Sequence, residues 1–127
     1  MTEDYGAEII IGGERYEMIL TTKATKAINK RYGGLEKLGD KISDAANFEE
    51  MVDEIVWLIT LLVNQSIHIH NIRHRDDQKE LLTEGDVEIL TTPIELMEGK
   101  NAIMQALLKG TKRHIESEEN EKNTAVG

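Results

Sequence analysis

The sequence predicts a mainly α fold with a small N-terminal β-hairpin (α+β), a compact bundle of about four to five helices packed on that hairpin. Three observations carry the prediction. Gly12-Gly13 separates two short runs in which apolar and polar residues alternate. From Thr22 onward the apolar period lengthens from two to nearly four, the change expected when strand gives way to helix. The run Ile55-Val56-Trp57-Leu58-Ile59-Thr60-Leu61-Leu62-Val63 is apolar on every side of a helix, so neighbours must cover it all round.

Residues 7–20 are expected to form the hairpin, because Gly12-Gly13 supplies the two positive-φ positions of a tight two-residue turn. Pairing across that turn sets Ile11 opposite Glu14 and Ile9 opposite Tyr16. One face then carries Ile9, Ile11, Tyr16, Met18 and Leu20, and the other carries Glu8, Arg15 and Glu17 with Ile10 and Ile19. A lone hairpin is marginal in water, so its apolar face must pack on helices.

The first helix, 22–32, carries Ala24, Ala27, Ile28 and Arg31/Tyr32 as a stripe and stops at Gly33-Gly34. A short second helix, 35–45, is marked by Leu35, Leu38 and Ile42. Asn47 is placed to cap the long helix 48–71, with Glu49 and Glu50 where the helix dipole favours acids. Residues 73–84 are dense in charge and read as the main internal loop. Thr83-Glu84-Gly85-Asp86 has capping-box spacing and opens a helix over 84–90. Thr92-Pro93-Ile94-Glu95 opens a last helix, 93–115, with Leu96, Ile103 and Leu107 on one row and Met97, Met104, Leu108 and Ile115 on the next. Gly99 and Gly110 weaken it by around 1 kcal/mol each relative to alanine. Residues 1–115 thus read as a single globular domain, and 116–127 as a disordered acidic tail without apolar mass.

A chain of 127 residues has enough surface to bury for one core. It contains no cysteine, which suits a reducing compartment and removes disulfide and thiolate chemistry. The opening Met1–Gly6 is polar and predicts no secretory leader. The apolar run is nine residues against the about 20 that a membrane span needs, so the long helix reads as a core helix and no membrane partner is expected. A formal charge of −9 repels phosphate backbones and argues against nucleic acid. Yet residues 22–41 hold six basic and two acidic side chains, a local +4 in which Lys23, Lys26 and Lys30 share one helix. That face is either plain solvated surface or a docking face for an acidic protein segment.

No catalytic constellation stands out. His70 and His74 share a helix face, while His68 points away; a metal would need Asp76 or Asp77 as a further ligand, and the alternative is the wet end of a helix. His114 reads as a dipole partner near a helix end. None of Ser43, Ser66 and Ser117 lies in a nucleophile turn, and Gly12-Gly13 is followed by a strand where a phosphate site needs a helix. No cofactor or metal is expected, and the chain does not read as an enzyme.

The order of parts carries a resemblance. A hairpin leads into Thr22-Lys-Ala-Thr-Lys-Ala-Ile-Asn-Lys-Arg-Tyr-Gly-Gly-Leu35, followed by a long apolar helix, then Leu82-Thr-Glu-Gly-Asp-Val-Glu-Ile-Leu90, and finally a Pro-led helix with Ile103 to Leu108. Over about residues 7–110 this resembles the tail assembly chaperones of long-tailed (siphovirus-type) bacteriophages and prophages. The resemblance implies a non-enzymatic protein of the host bacterial cytoplasm, absent from the finished virion. It would coat the tape measure protein, help recruit tail tube protein subunits, and form homo-oligomers. It also implies that a frameshifted longer form is often made. Candidate contact residues are Trp57, Leu61 and Leu62 on the long helix and Met104, Leu107 and Leu108 on the last, although each reads first as plain core, because apolar stripes at helical spacing usually are. Lys23, Lys26 and Lys30 are the alternative docking face. A head–tail adaptor retained in the particle and a small acidic regulatory protein remain open as other classes.

Overall fold

The computed structural model describes the backbone of residues 6–44 and 46–126 and the side chains of that range through Thr111. Its order is β1 (Gly6–Ile11), β2 (Glu14–Ile19), α1 (Thr22–Tyr32), α2 (Leu35–Ser43), α3 (Phe48–Arg73), α4 (Glu84–Leu90) and α5 (Pro93–Val126). The fold is mainly helical, with a two-stranded antiparallel hairpin packed against the helices, as the sequence predicts. Residues 1–5, Ala45 and the side chains of His114 and Ile115 lie outside the described residues.

The hairpin pairs Ile11 with Glu14 and Ile9 with Tyr16, and Gly12 and Gly13 take φ of 59° and 83° at its turn. Its inner face buries Ala7, Ile11 and Met18, whereas Ile10 on the other face is exposed. α3 lies on β2 and α5 on β1, so the two long helices share the hairpin's apolar face. Ile55, Leu58, Ile59, Leu62 and Val63 of α3 are fully withdrawn from solvent at the centre of the core.

Gly99 and Gly110, expected as weak points of the last helix, are where it lies closest to its neighbours. A Cβ on Gly99 would stand 2.9 Å from Ile59 Cδ1 and 3.3 Å from Ile9 Cδ1, and one on Gly110 would stand 2.8 Å from Leu20 Cβ. The packing gained by close approach offsets the propensity lost. α5 also continues beyond the expected end at 115, so its backbone is helical through 116–126 where the sequence led us to expect loss of order. Extending an existing helix avoids the nucleation cost, and this segment is rich in Glu, a good helix former. The second helix stops at Ser43, short of the expected 45, and the long one runs to Arg73, past the expected 71.

The caps form where the sequence places them. Asn47 accepts from the Glu50 N–H, Thr83 and Asp86 form a reciprocal box, and Thr92 and Glu95 pair in the same way. A cap the sequence reading missed is Thr21, whose hydroxyl oxygen accepts from Ala24 N–H while its O–H donates to Gln65 Oε1. That bond, with Gln65 Nε2 donating to Leu61 O at 3.0 Å, satisfies the buried Gln65 amide.

The segment expected as a charged loop is tied back onto α3 by two asparagines. Asn64 Nδ2 donates to Leu82 O at 2.8 Å, and Asn64 Oδ1 accepts from Leu82 N–H at 2.9 Å. Asn71 repeats the pattern with Lys79, at 3.0 and 2.8 Å. Seven helical residues rise about 10.5 Å and three extended residues span about 10 Å, so the two periodicities coincide. Asn64→Ala and Asn71→Ala are each expected to cost about 1–2 kcal/mol. Hydrogen exchange checks the cause: the Leu82 or Lys79 amide should lose protection while α3 keeps its own, and unchanged protection at both amides would count against the strap.

Candidate partner-binding surfaces

The structure separates the candidate contact residues into core and surface. Leu62 is fully buried, and Leu107 is buried beside Ile103 and Ala106, so neither is open to a partner in this fold. Leu61 is half-buried against the core. Met104 and Leu108, four residues apart, remain 47% and 66% exposed. The row Leu96–Ile103–Leu107 therefore faces inward and the row Met97–Met104–Leu108 forms the outer edge of α5, because the helix offers the hairpin only one side. Ile94 (73% exposed) and Asn101 extend that edge. The series Ile94, Met97, Asn101, Met104, Leu108 is spaced three, four, three and four residues, the spacing of a seam that receives another helix.

Trp57 is half-buried in a cluster built by α1 and α3. The Arg31 guanidinium lies 4.5 Å from the centre of the Trp57 ring, and Tyr32 meets that ring edge-on at 5.9 Å. Beneath them Glu54, 7% exposed, accepts from Arg31 Nη2 at 2.8 Å, Arg31 Nε at 3.3 Å and the Tyr32 O–H at 3.2 Å. Burial works against the Arg31 charge, but the hydrogen bonds to Glu54 and Tyr32 and the Glu54 carboxylate outweigh it, and its pKa is raised. Burial, aided by the Glu54 charge and opposed by Arg31, pushes the Tyr32 phenol up to about 12. The cluster closes the α1–α3 interface, and Arg31 and Tyr32 both donate to Glu54 within it. Sequence reading missed Glu54, since a lone carboxylate in a charged helical turn resembles any surface acid; only Arg31 and Tyr32, both about two turns from Ala24 on the first-helix stripe, hinted at an inward polar contact.

Lys23, Lys26 and Lys30 are all exposed on α1, as are Lys37 and Lys41 on α2. Lys26 borders a cleft of about 410 Å³ formed by the end of β2, the first turns of α1 and α2, and α5 at Gly110–Thr111. His70 and His74 stack at 4.4 Å, with His70 Nε2 2.8 Å from Asp77 O and 3.5 Å from Asp77 Oδ2. Among the described residues no three potential metal ligands converge. α3 is long and apolar enough to cross a membrane by composition, at mean hydropathy 1.3, but half of that stretch is buried inside the fold. Packing against the hairpin and the other helices accounts for its apolar surface.

The sequence reading also missed the junction of α4 and α5. Val87 is buried there, but Ile89 is 84% exposed, and Leu90 and Ile94 are exposed beside it. The capping box points Val87 inward and so turns Ile89 outward, two residues on, a consequence that spacing within this seven-residue helix already contained. No family model, no curated protein and no solved structure matches this chain.

Proposed function

We propose that this protein is a non-enzymatic phage tail assembly chaperone that binds the tape measure protein and helps recruit tail tube subunits in the host bacterial cytoplasm, leaving before the virion is complete. The reading rests on the order of sequence parts that resembles that family. The observation that supports it best is the outer edge of α5, where Ile94, Met104 and Leu108 lie open to solvent, with the half-buried Met97 between them, at the spacing an amphipathic helix needs. A chaperone for long amphipathic helices requires such an edge, and an acidic total of −9 keeps it soluble.

Light scattering of a tape-measure helical segment, with and without the protein, tests the reading. The wild type is expected to suppress aggregation and co-elute with the segment, and Met104→Glu/Leu108→Glu to lose both. If the charged variant protects as well as the wild type, the α5 edge is not the binding surface. Lys23→Glu/Lys26→Glu/Lys30→Glu tests the other face in the same assay: weaker capture with unchanged folding assigns it a role, and unchanged capture removes it. Failure of the wild type with every tape-measure segment tried would reject the chaperone assignment.

A further inference from the structure

Ile89, Leu90 and Ile94 form an exposed apolar crest where α4 meets α5, and the fold braces it from both sides. Gly12 N–H donates to Leu90 O at 3.2 Å, which ties the crest to the hairpin turn. The Thr83–Asp86 box fixes the start of α4, and the Thr91 O–H donates to Val87 O at 2.6 Å at its end. Glu95 accepts from Thr92 N–H at the start of α5. With Val87 turned inward, Ile89 is left the most exposed large apolar side chain among those described. Apolar surface that a braced junction keeps in water marks a contact site.

The charge around the crest selects what it contacts. Residues 84–98 carry five acids (Glu84, Asp86, Glu88, Glu95, Glu98) and no base, −5. Glu14 joins them from the hairpin turn. Burial, then the hydrogen bond and charge of Glu14, then the charge of Asp86 raise the pKa of the Tyr16 phenol, so both carboxylates act on one group. Arg15 alternates to the opposite face of the strand. The basic stretch 22–41 begins at the other end of the hairpin, where Gly110 packs on Leu20 and Lys26 borders the cleft. Six-residue strands separate the two ends by about 20 Å, so the basic end does not neutralise the crest in salt.

We propose that the crest docks a basic amphipathic segment of another protein, whose apolar side chains cover Ile89, Leu90 and Ile94 while its Lys or Arg side chains pair with the surrounding carboxylates. An acidic segment or a phosphate backbone would be repelled. A neutral apolar segment would desolvate the carboxylates without pairing them. A basic one covers the isoleucines and pairs the acids together. The contact does not require Met104 or Leu108, so it stands whatever the outer edge of α5 binds.

Fluorescence anisotropy with three short labelled peptides tests the proposal: a helix with a leucine stripe and lysines elsewhere, its glutamate counterpart, and a scrambled leucine–lysine sequence without the stripe. The wild type is expected to bind the first at least about tenfold more tightly than either other peptide. Ile89→Glu adds an acid, so attraction by charge alone would strengthen binding, whereas docking on the crest should weaken it about tenfold. Glu88→Lys/Glu98→Lys should weaken it as well, with the apolar crest intact. Circular dichroism verifies that the variants fold. Equal binding of the striped and scrambled lysine peptides overturns the proposal, and so does I89E binding as tightly as the wild type. Loss of binding in Met104→Glu/Leu108→Glu with I89E unaffected would assign the contact to α5 instead. A wild type whose own sedimentation changes on I89E substitution would make a second copy the occupant and overturn the proposal.

Discussion

Replacing Arg31 with methionine is expected to lower the unfolding free energy by about 3 kcal/mol, read as a fall in the denaturant midpoint. The Glu54 carboxylate is nearly enclosed and draws two of its three side-chain hydrogen bonds from that guanidinium. Without Arg31 only the Tyr32 O–H remains on a buried charge, and water has little access to replace what was lost. The loss of the Arg31–Trp57 contact adds a smaller amount. Arg31→Met/Glu54→Leu should recover most of the deficit, because an apolar pair has no charge to solvate. A single variant within about 0.5 kcal/mol of wild type, the range of ordinary surface changes, would show that Glu54 does not need this partner.

The same cluster sets an alkaline limb. The Tyr32 pKa is raised in the fold from 10.0 to about 12, so its stabilising contribution is complete below about pH 10 and is lost as pH rises through 12. Over that window the unfolded chain ionises first and draws the equilibrium toward itself. Denaturant midpoints between pH 9 and 12 should therefore fall, and Tyr32→Phe should flatten the fall. An identical slope in that variant would place the titrating group elsewhere.

Leu62→Ala is expected to cost about 3 kcal/mol, and Leu108→Ser less than about 0.5. Both leucines were candidates for partner contact on the same grounds of helical spacing. Leu62 is fully buried at the centre of α3, and truncating it removes transfer energy and leaves a cavity in a close-packed interior. Leu108 faces solvent on α5, so its loss changes little in the isolated protein while depriving a helical partner of an anchor. Thermal unfolding and the aggregation assay together separate the two roles. Equal destabilisation by both substitutions would contradict the division of α5 into inner and outer rows.

Features set by local chemistry were legible. The Gly12-Gly13 turn, the Ile9–Tyr16 register and the Asn47, Thr83 and Thr92 starts follow from residues within a few positions of one another. Long-range pairing was not. Glu54 looks like any surface acid until Arg31 and Tyr32 close on it from 23 and 22 residues away. Asn64 and Asn71 look like the wet side of a helix until a strap 18 and 8 residues on takes up both faces of their amides. Gly110 looks like a helix defect until Leu20 lies against it.

By itself the sequence determined the α+β class, the element order, the helix starts, the stop of the first helix and the apolar character of the long helix, because propensity, capping and periodicity act within one or two turns. Only the tertiary structure decided which apolar rows are core and which remain open, and that the basic and acidic segments stand at opposite ends. Burial belongs to neighbours: a helix carries its apolar stripe wherever it is, but what covers that stripe depends on chain from elsewhere in the fold.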